Sequence, residues 1–259
     1  MVNFTFSMSE LETFLLIVVR VTCFMFAAPF FGMNDTPRRV KIGLGVLISV
    51  VIYRTITPGE FEYNTVLGYS ILVLKEAITG ILIGYSAAIC EAILNFAGHM
   101  ADMEIGLSMV SMFDPVTKSQ VTISGTYYHY VVMLMMLISG LYQFLLGALS
   151  ESFRLIPLTK AVFSSDKILS SMAVFLVDYI SIGFRLCLPV FAAMILLNSI
   201  LGVLAKVSPQ LNMFAIGIQT KILLGLSILF LTVGMLPGAS TIILSEMKKM
   251  VTMFVEALV

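Results

Sequence analysis

The stretch GHMADMEIGLSMVSMFDPVTKSQVTISG, Gly98–Gly125, interrupts a chain that otherwise reads as long apolar blocks. It carries Gly98, Gly106 and Gly125, acidic side chains, a run of methionines and an internal Asp114-Pro115. That makes it too polar and too broken for a spanning helix, yet too apolar for an ordinary solvent loop. Lipid cannot satisfy irregular backbone, so in a membrane protein such a segment lies inside protein or against a water-filled path. The expectation is that it lines or closes something, while its first third, through about Met103, continues the preceding helix. Composition supports the membrane setting. Apolar residues make up 59% of the 259 residues, against about 45–50% in soluble domains. Charged residues make up 12%, against about 25%.

On the N-terminal side of this stretch lie three apolar blocks. The first, about Leu11–Phe31, is interrupted by Arg20 and ends near Pro29. No basic residue precedes it and no small-residue cleavage site follows, so it is expected to stay in the mature protein. A turn over Gly32–Pro37 and the basic cluster Arg38, Arg39 and Lys41 lead into a second block, Val40–Ile56. The third, Val66–Ala97, contains Lys75, Glu76 and Glu91, and its Gly80-x-x-x-Gly84 spacing places two small residues on one helix face for close packing. On the C-terminal side come Thr126–Leu149, a mixed linker Ser150–Ser170, a long block Ser171–Ala205 with a central Pro189, a short turn and Leu211–Leu236. A modestly amphipathic tail follows Pro237-Gly238. All six blocks read as helical, with no two-residue alternation, which predicts an all-α, integral-membrane-class protein with about six long apolar helices.

Two of these blocks are too long for simple spanning. At ~1.5 Å per residue the third and fifth reach roughly 48 and 52 Å, whereas a bilayer core is about 30 Å thick. Orientation is also weakly marked. The basic cluster at Arg38–Lys41 favours a cytoplasmic first loop, but Gly98–Gly125 on the same side is acidic and the opposite linker is slightly basic.

Arg20, Lys75, Glu76, Glu91, Asp178, Arg185 and Lys221 interrupt apolar runs, and each would cost roughly 2.5–3.5 kcal/mol if it faced lipid. They are expected to pair between helices or subunits. The alternative is a polar pathway through a secondary transporter, using Glu91, Asp178 and Arg185. Asp178 and Arg185, seven residues apart, share a helix face.

Other chemistry finds little support. Zero net charge gives no reason to expect nucleic acid as a partner. Cys23, Cys90 and Cys187 lie singly within apolar blocks and read as buried thiols. His99, Asp102 and Glu104 do not converge from a regular helix, so no metal site is expected. His129 among Tyr127, Tyr128 and Tyr130 suits an interfacial aromatic belt. There is no GxSxG, HExxH, phosphate loop or Cys/His cluster, so neither enzymatic activity nor a cofactor is expected. Met100, Met103, Leu107 and Val110 recur at helical spacing, with Met109, Met112 and Phe113 nearby. Such a stripe is either core or a compliant apolar gasket, since methionine repacks readily.

The sixth block opens Val207-Ser208-Pro209-Gln210-Leu211-Asn212-Met213-Phe214, followed by Gly217 and Lys221. This Pro-Gln-Leu-Asn-x-Phe element resembles the signature of the flagellar FliR family, to which the SctT subunits of virulence type III secretion are related. Arg20 ahead of Pro29, Pro37 ahead of Val40-Lys41-Ile42-Gly43-Leu44, Glu76 with Gly80-x-x-x-Gly84, and Asp114-Pro115 after Gly98, Asp102 and Gly106 agree with it. The resemblance covers nearly the whole chain.

It implies a non-catalytic subunit of the type III export gate in the bacterial inner membrane, within the flagellar basal body. Such a subunit assembles with FliP and FliQ, associates with FlhB and passes unfolded flagellar proteins. It implies a FliP-like part over residues 1–170 and a FliQ-like hairpin and tail over 171–259. In the family much of the helical core stands above the membrane plane, which would explain the over-long blocks. A central loop plugs the pore. By position and landmarks that loop is about Gly106–Gly125, with Gly106, Met109, Met112, Phe113, Asp114 and Pro115 as its sealing and shaping residues. The element Pro209, Gln210, Leu211, Asn212 and Phe214 marks the turn of the hairpin.

Overall fold

The computed structural model of the chain describes residues 8–32, 36–56, 63, 65–108, 122–208 and 213–259. Among these every regular element is helical, as the apolar blocks require, and the chain is an all-α protein of the membrane class. By packing it divides into two compact units, each assembled from separate stretches of sequence. The division expected at about residue 170 concerns resemblance to other proteins rather than packing.

The first unit takes residues 1–89, 140–175 and 245–259. Its centre is α1 (Met8–Ala27), packed against α2 (Arg38–Tyr53) and α3 (Val66–Ala88). A Cβ added at Gly80 would lie 2.2 Å from the Arg20 carbonyl oxygen, and one at Gly84 would lie 2.8 Å from that of Phe24. The Gly80/Gly84 face therefore does what its spacing suggested. It lets α3 run parallel to α1 at backbone contact, because only a missing side chain leaves that room. α2 returns antiparallel, with Gly45 against Thr22 and Tyr53 edge-on to Phe14. Lys41 of the basic cluster is buried, and its ammonium donates to the Gly32 carbonyl at 2.9 Å. At the other end of α1 the Tyr63 hydroxyl donates to the Glu12 carboxylate, which holds that phenol above its ordinary pKa. α6 (Leu141–Leu155) and the 156–164 connection complete the unit's wall, and Val162 N–H donates to the Leu258 carbonyl at 3.1 Å.

The second unit takes residues 90–139 and 176–244. Here α4 (Ala92–Ile105) packs against α5 (Ile123–Ile138), with most of α7 (Ser165–Val207) and all of α8 (Met213–Leu231). Gly183 of α7 admits the Phe96 ring, and Gly225 of α8 admits the Ile105 side chain, so small residues again set the approach.

Several boundaries differ from the sequence reading. The third block has a 3₁₀ turn at Ile89–Glu91 between α3 and α4 and runs on to Ile105, two residues beyond the helical continuation expected through about Met103. The polar residues His99, Asp102 and Glu104 do not prevent this, since helical backbone satisfies itself whatever the side chains. The block read as Thr126–Leu149 is two helices, broken where Gly140 adopts φ +89°, a conformation that glycine adopts without a Cβ penalty. The linker expected over Ser150–Ser170 shrinks, since α6 runs to Leu155 and α7 begins at Ser165. Pro189 does not end α7, which is 43 residues long in all and continues past it to Val207. The amphipathic tail is a helix, α9 (Leu236–Ala257), with Pro237 in its first turn, where a missing N–H breaks no bond. Three helical runs are long and apolar enough to cross a bilayer, Val66–Ile105, Ser165–Val207 and Ile216–Ala257, and α5 with α6 would make a fourth if the broken pair forms one span.

Candidate functional site

Two arrangements stand out, one in each unit. In the first, Arg20 of α1 and Glu76 of α3 are both fully buried. The Arg20 Nε donates to Glu76 Oε2, and a terminal guanidinium nitrogen donates to Glu76 Oε1 at 3.0 Å, a forked pair of the kind that fixes geometry as well as charge. The other terminal nitrogen donates to the carbonyls of Ile156 at 2.9 Å and Ser152 at 3.4 Å. Those carbonyls belong to the C-terminal end of α6, where the negative end of the helix dipole favours a cation. Phe153 places its ring 4.4 Å from the guanidinium carbon. Glu76 Oε1 also accepts the Thr159 N–H at 2.7 Å, which ties down a residue held at φ +68°. One ion pair therefore joins α1, α3, the end of α6 and the turn beyond it. Glu76, Gly80 and Gly84 lie four residues apart on one stripe, so the same face that carries the charge carries the backbone contact.

In the second unit the stretch around Gly98–Gly125 is held at its base. α4 ends at Gly106, whose φ of +91° closes the helix as its N–H donates to the Asp102 carbonyl at 3.0 Å. The Asp102 side chain, 2% exposed, reaches across to the start of α5. It accepts the Ser124 N–H at 3.2–3.3 Å and the Ser124 hydroxyl. Thr122, the N-cap residue of α5, makes no side-chain cap, so the capping carboxylate comes from the neighbouring helix instead. One turn earlier, a Cβ on Gly98 would sit 2.1 Å from the Gly125 Cα. The chain leaves α4 at Gly106 and returns at Thr122 beside the point of departure, clasped by one charge-assisted contact and one glycine–glycine contact.

The remaining interior charges separate. Lys75, Glu91, Asp178 and Lys221 are half-buried, and Arg185 is exposed. One oxygen of Glu91 is buried without a hydrogen-bond partner among the described residues. Arg185 borders an apolar cavity whose lining includes neither Asp178 nor Glu91, so the three residues of the transporter alternative do not share this space.

The profile of the bacterial export proteins, family 1, matches residues 11–247. A flagellar biosynthetic protein FliR of Bacillus subtilis is 30% identical over 212 residues, covering 81% of each chain. Those of Aquifex aeolicus and Escherichia coli are 26% and 23% identical, covering 86% and 82% of this chain and 85% and 80% of their own. The chain belongs to the bacterial export proteins, family 1, the FliR family.

For a FliR-family chain the placement of the expected site residues is uneven. Of the plug residues, Gly106 is a helix-ending left-handed glycine, whereas Met109, Met112, Phe113, Asp114 and Pro115 lie outside the described residues. Of the hairpin element, Pro209, Gln210, Leu211 and Asn212 also lie outside them, and Phe214 falls in the first turn of α8. Arg20 and Glu76 come together in a buried pair. The sequence reading missed Ser124 as a partner of Asp102, and the carbonyls of Ser152 and Ile156 as partners of Arg20. The first was traceable in principle, because Gly98 and Asp102 lie four apart opposite the adjacent pair Ser124-Gly125. The second leaves no side-chain signal, since backbone carbonyls are present at every residue.

Proposed function

We propose that the chain is the FliR-type subunit of a flagellar type III export gate, a non-enzymatic component that builds a protein-conducting channel with FliP and FliQ in the bacterial inner membrane, with FlhB beside it. In this reading residues 106–125 plug the closed channel. Family membership and the names of the relatives support a place in flagellar export. The observation that carries the plug reading is the clasp at Gly98/Gly125 and Asp102/Ser124. A movable seal needs a rigid mount. A buried carboxylate capping α5 and two helices in backbone contact supply one, while the apolar Met109, Met112 and Phe113 suit a water-excluding surface.

The test removes residues 109–121 and joins Ser108 to Thr122 through a short Gly/Ser linker, which leaves the clasp intact. Membrane vesicles containing the assembled complex should leak protons and small ions severalfold faster than wild type. A deletion complex that assembles fully and leaks no more than wild type overturns the plug.

A further inference from the structure

In the second unit two long helical runs are weakened beside one cavity. Pro189 lies inside α7 and has no N–H to offer the Arg185 carbonyl one turn earlier. α8 and α9 meet through the 3₁₀ turn Thr232–Met235, whose hydrogen-bond geometry is poorer than that of α-helix and which in mid-helix often marks a hinge. Pro189 and the turn residues Thr232, Gly234 and Met235 all line the same cavity of about 380 Å³. A Cβ at Gly234 or Gly238 meets nothing within 4 Å, so the α8–α9 side has room to move. Protein interiors ordinarily hold few voids larger than a water molecule. The remaining wall includes Leu94 of α4 with Tyr128 and Val132 of α5. Leu94 lies one turn before Gly98, and Tyr128 one turn after Ser124, so this wall is the next turn of the pair clasped at Gly98/Gly125 and Asp102/Ser124.

We propose that this level is a hinge, at which α7 bends at Pro189 and the α8–α9 run bends at Thr232–Met235 while α4 and α5 stay clasped. Three features select it. Both helical runs have their weak point at the same cavity, so they can bend together. The space they need is already open. The pair they move against is fixed one turn away by a buried carboxylate and by backbone contact, so motion is channelled into α7 and α8–α9. In an export gate this lets those helices swing without releasing the mount of the plug. That use rests on the export-gate reading above, whereas the hinge itself concerns the second unit alone.

The experiment measures the bend and then its use. At ~1.5 Å per residue Val203 lies about 21 Å beyond Pro189, so a bend of about 20° carries it by roughly 7 Å. Spin labels on Val203→Cys of α7 and Leu134→Cys of α5, both exposed positions, report this by pulsed electron paramagnetic resonance on the purified complex. The otherwise unaltered chain should give distances spread over roughly 7 Å. Pro189→Ala, which restores the missing bond, and Gly238→Leu, which fills the cavity, should each narrow them to one. In cells the same two substitutions should leave assembly intact and slow secretion about fivefold, the factor that the stiffness of one added hydrogen bond allows. Gly202→Leu, whose Cβ also meets open space but whose residue does not line the cavity, should secrete as wild type. A strain lacking the chain should secrete nothing, and secretion there would sink the gate reading while leaving the distance measurement to judge the hinge. The hinge is overturned if the labelled chain is as narrow as Pro189→Ala, or if both substitutions secrete at the wild-type rate. It is equally overturned if Pro189→Ala fails to assemble, which would make the interruption a fixed part of the architecture.

Discussion

Arg20 and Arg185 both interrupt long apolar helices, and the chain treats them in opposite ways. Arg20 is sealed in the first unit, its donors taken up by Glu76 and by the carbonyl end of α6, its face covered by Phe153. Arg185 is exposed in the second unit, at the edge of an open apolar cavity. The contrast separates two uses of a costly charge. When a chain closes every donor on itself, the charge fixes how its own helices meet. When it leaves the donors open, the charge selects what the chain meets next. Burial alone does not distinguish the cases in a membrane protein, because lipid conceals a side chain as thoroughly as protein does.

The largest effect expected from breaking this contrast is at the closed pair. Glu76→Ala leaves a buried guanidinium uncompensated and should destabilise the protein by about 3–5 kcal/mol, seen as loss of the complex or a steep fall in its melting temperature. The double variant Arg20→Met, Glu76→Leu should recover much of that loss, since apolar side chains of similar volume often replace a buried ion pair at little cost. If the double variant is as unstable as the single one, the links to Ser152, Ile156 and Thr159 matter more than the charge balance.

An intermediate effect is expected at the clasp. Gly98→Ala forces a Cβ into the Gly125 backbone and should cost ~1–3 kcal/mol or more, while Gly202→Ala, in open space, should be neutral or slightly stabilising in its helix. Equal melting temperatures for the two would show that α4 and α5 are not held at backbone contact in the assembled protein. The smallest effect belongs to the open arginine. Arg185→Gln should change the melting temperature of detergent-solubilised complex by no more than ~0.5 kcal/mol would produce, as for a surface substitution. A loss as large as that of Glu76→Ala would mean that Arg185 is a structural charge after all.

Much of this was legible before any coordinates. The apolar blocks announced helices, and Gly80-x-x-x-Gly84 announced close packing on one face of α3. The charges at positions 20 and 76 announced a need for partners. What could not be read was which partners. The end of α4 was readable to within two residues, because Gly106 marks it whatever the polarity of His99, Asp102 and Glu104. Gly140 looked like any glycine in an apolar block until its positive φ showed a helix break.

The sequence by itself determined the class of the protein and its helical elements, because these depend on composition and on neighbours along the chain. Only the tertiary structure decided that Arg20 closes on Glu76 and the end of α6, that Asp102 caps a helix other than its own, and that Arg185 stays open. The reason is geometric. A local pattern states which side chains demand a partner, but a partner 22 or 56 residues away is chosen by how the helices cross, and that crossing is set by where glycines let backbones touch.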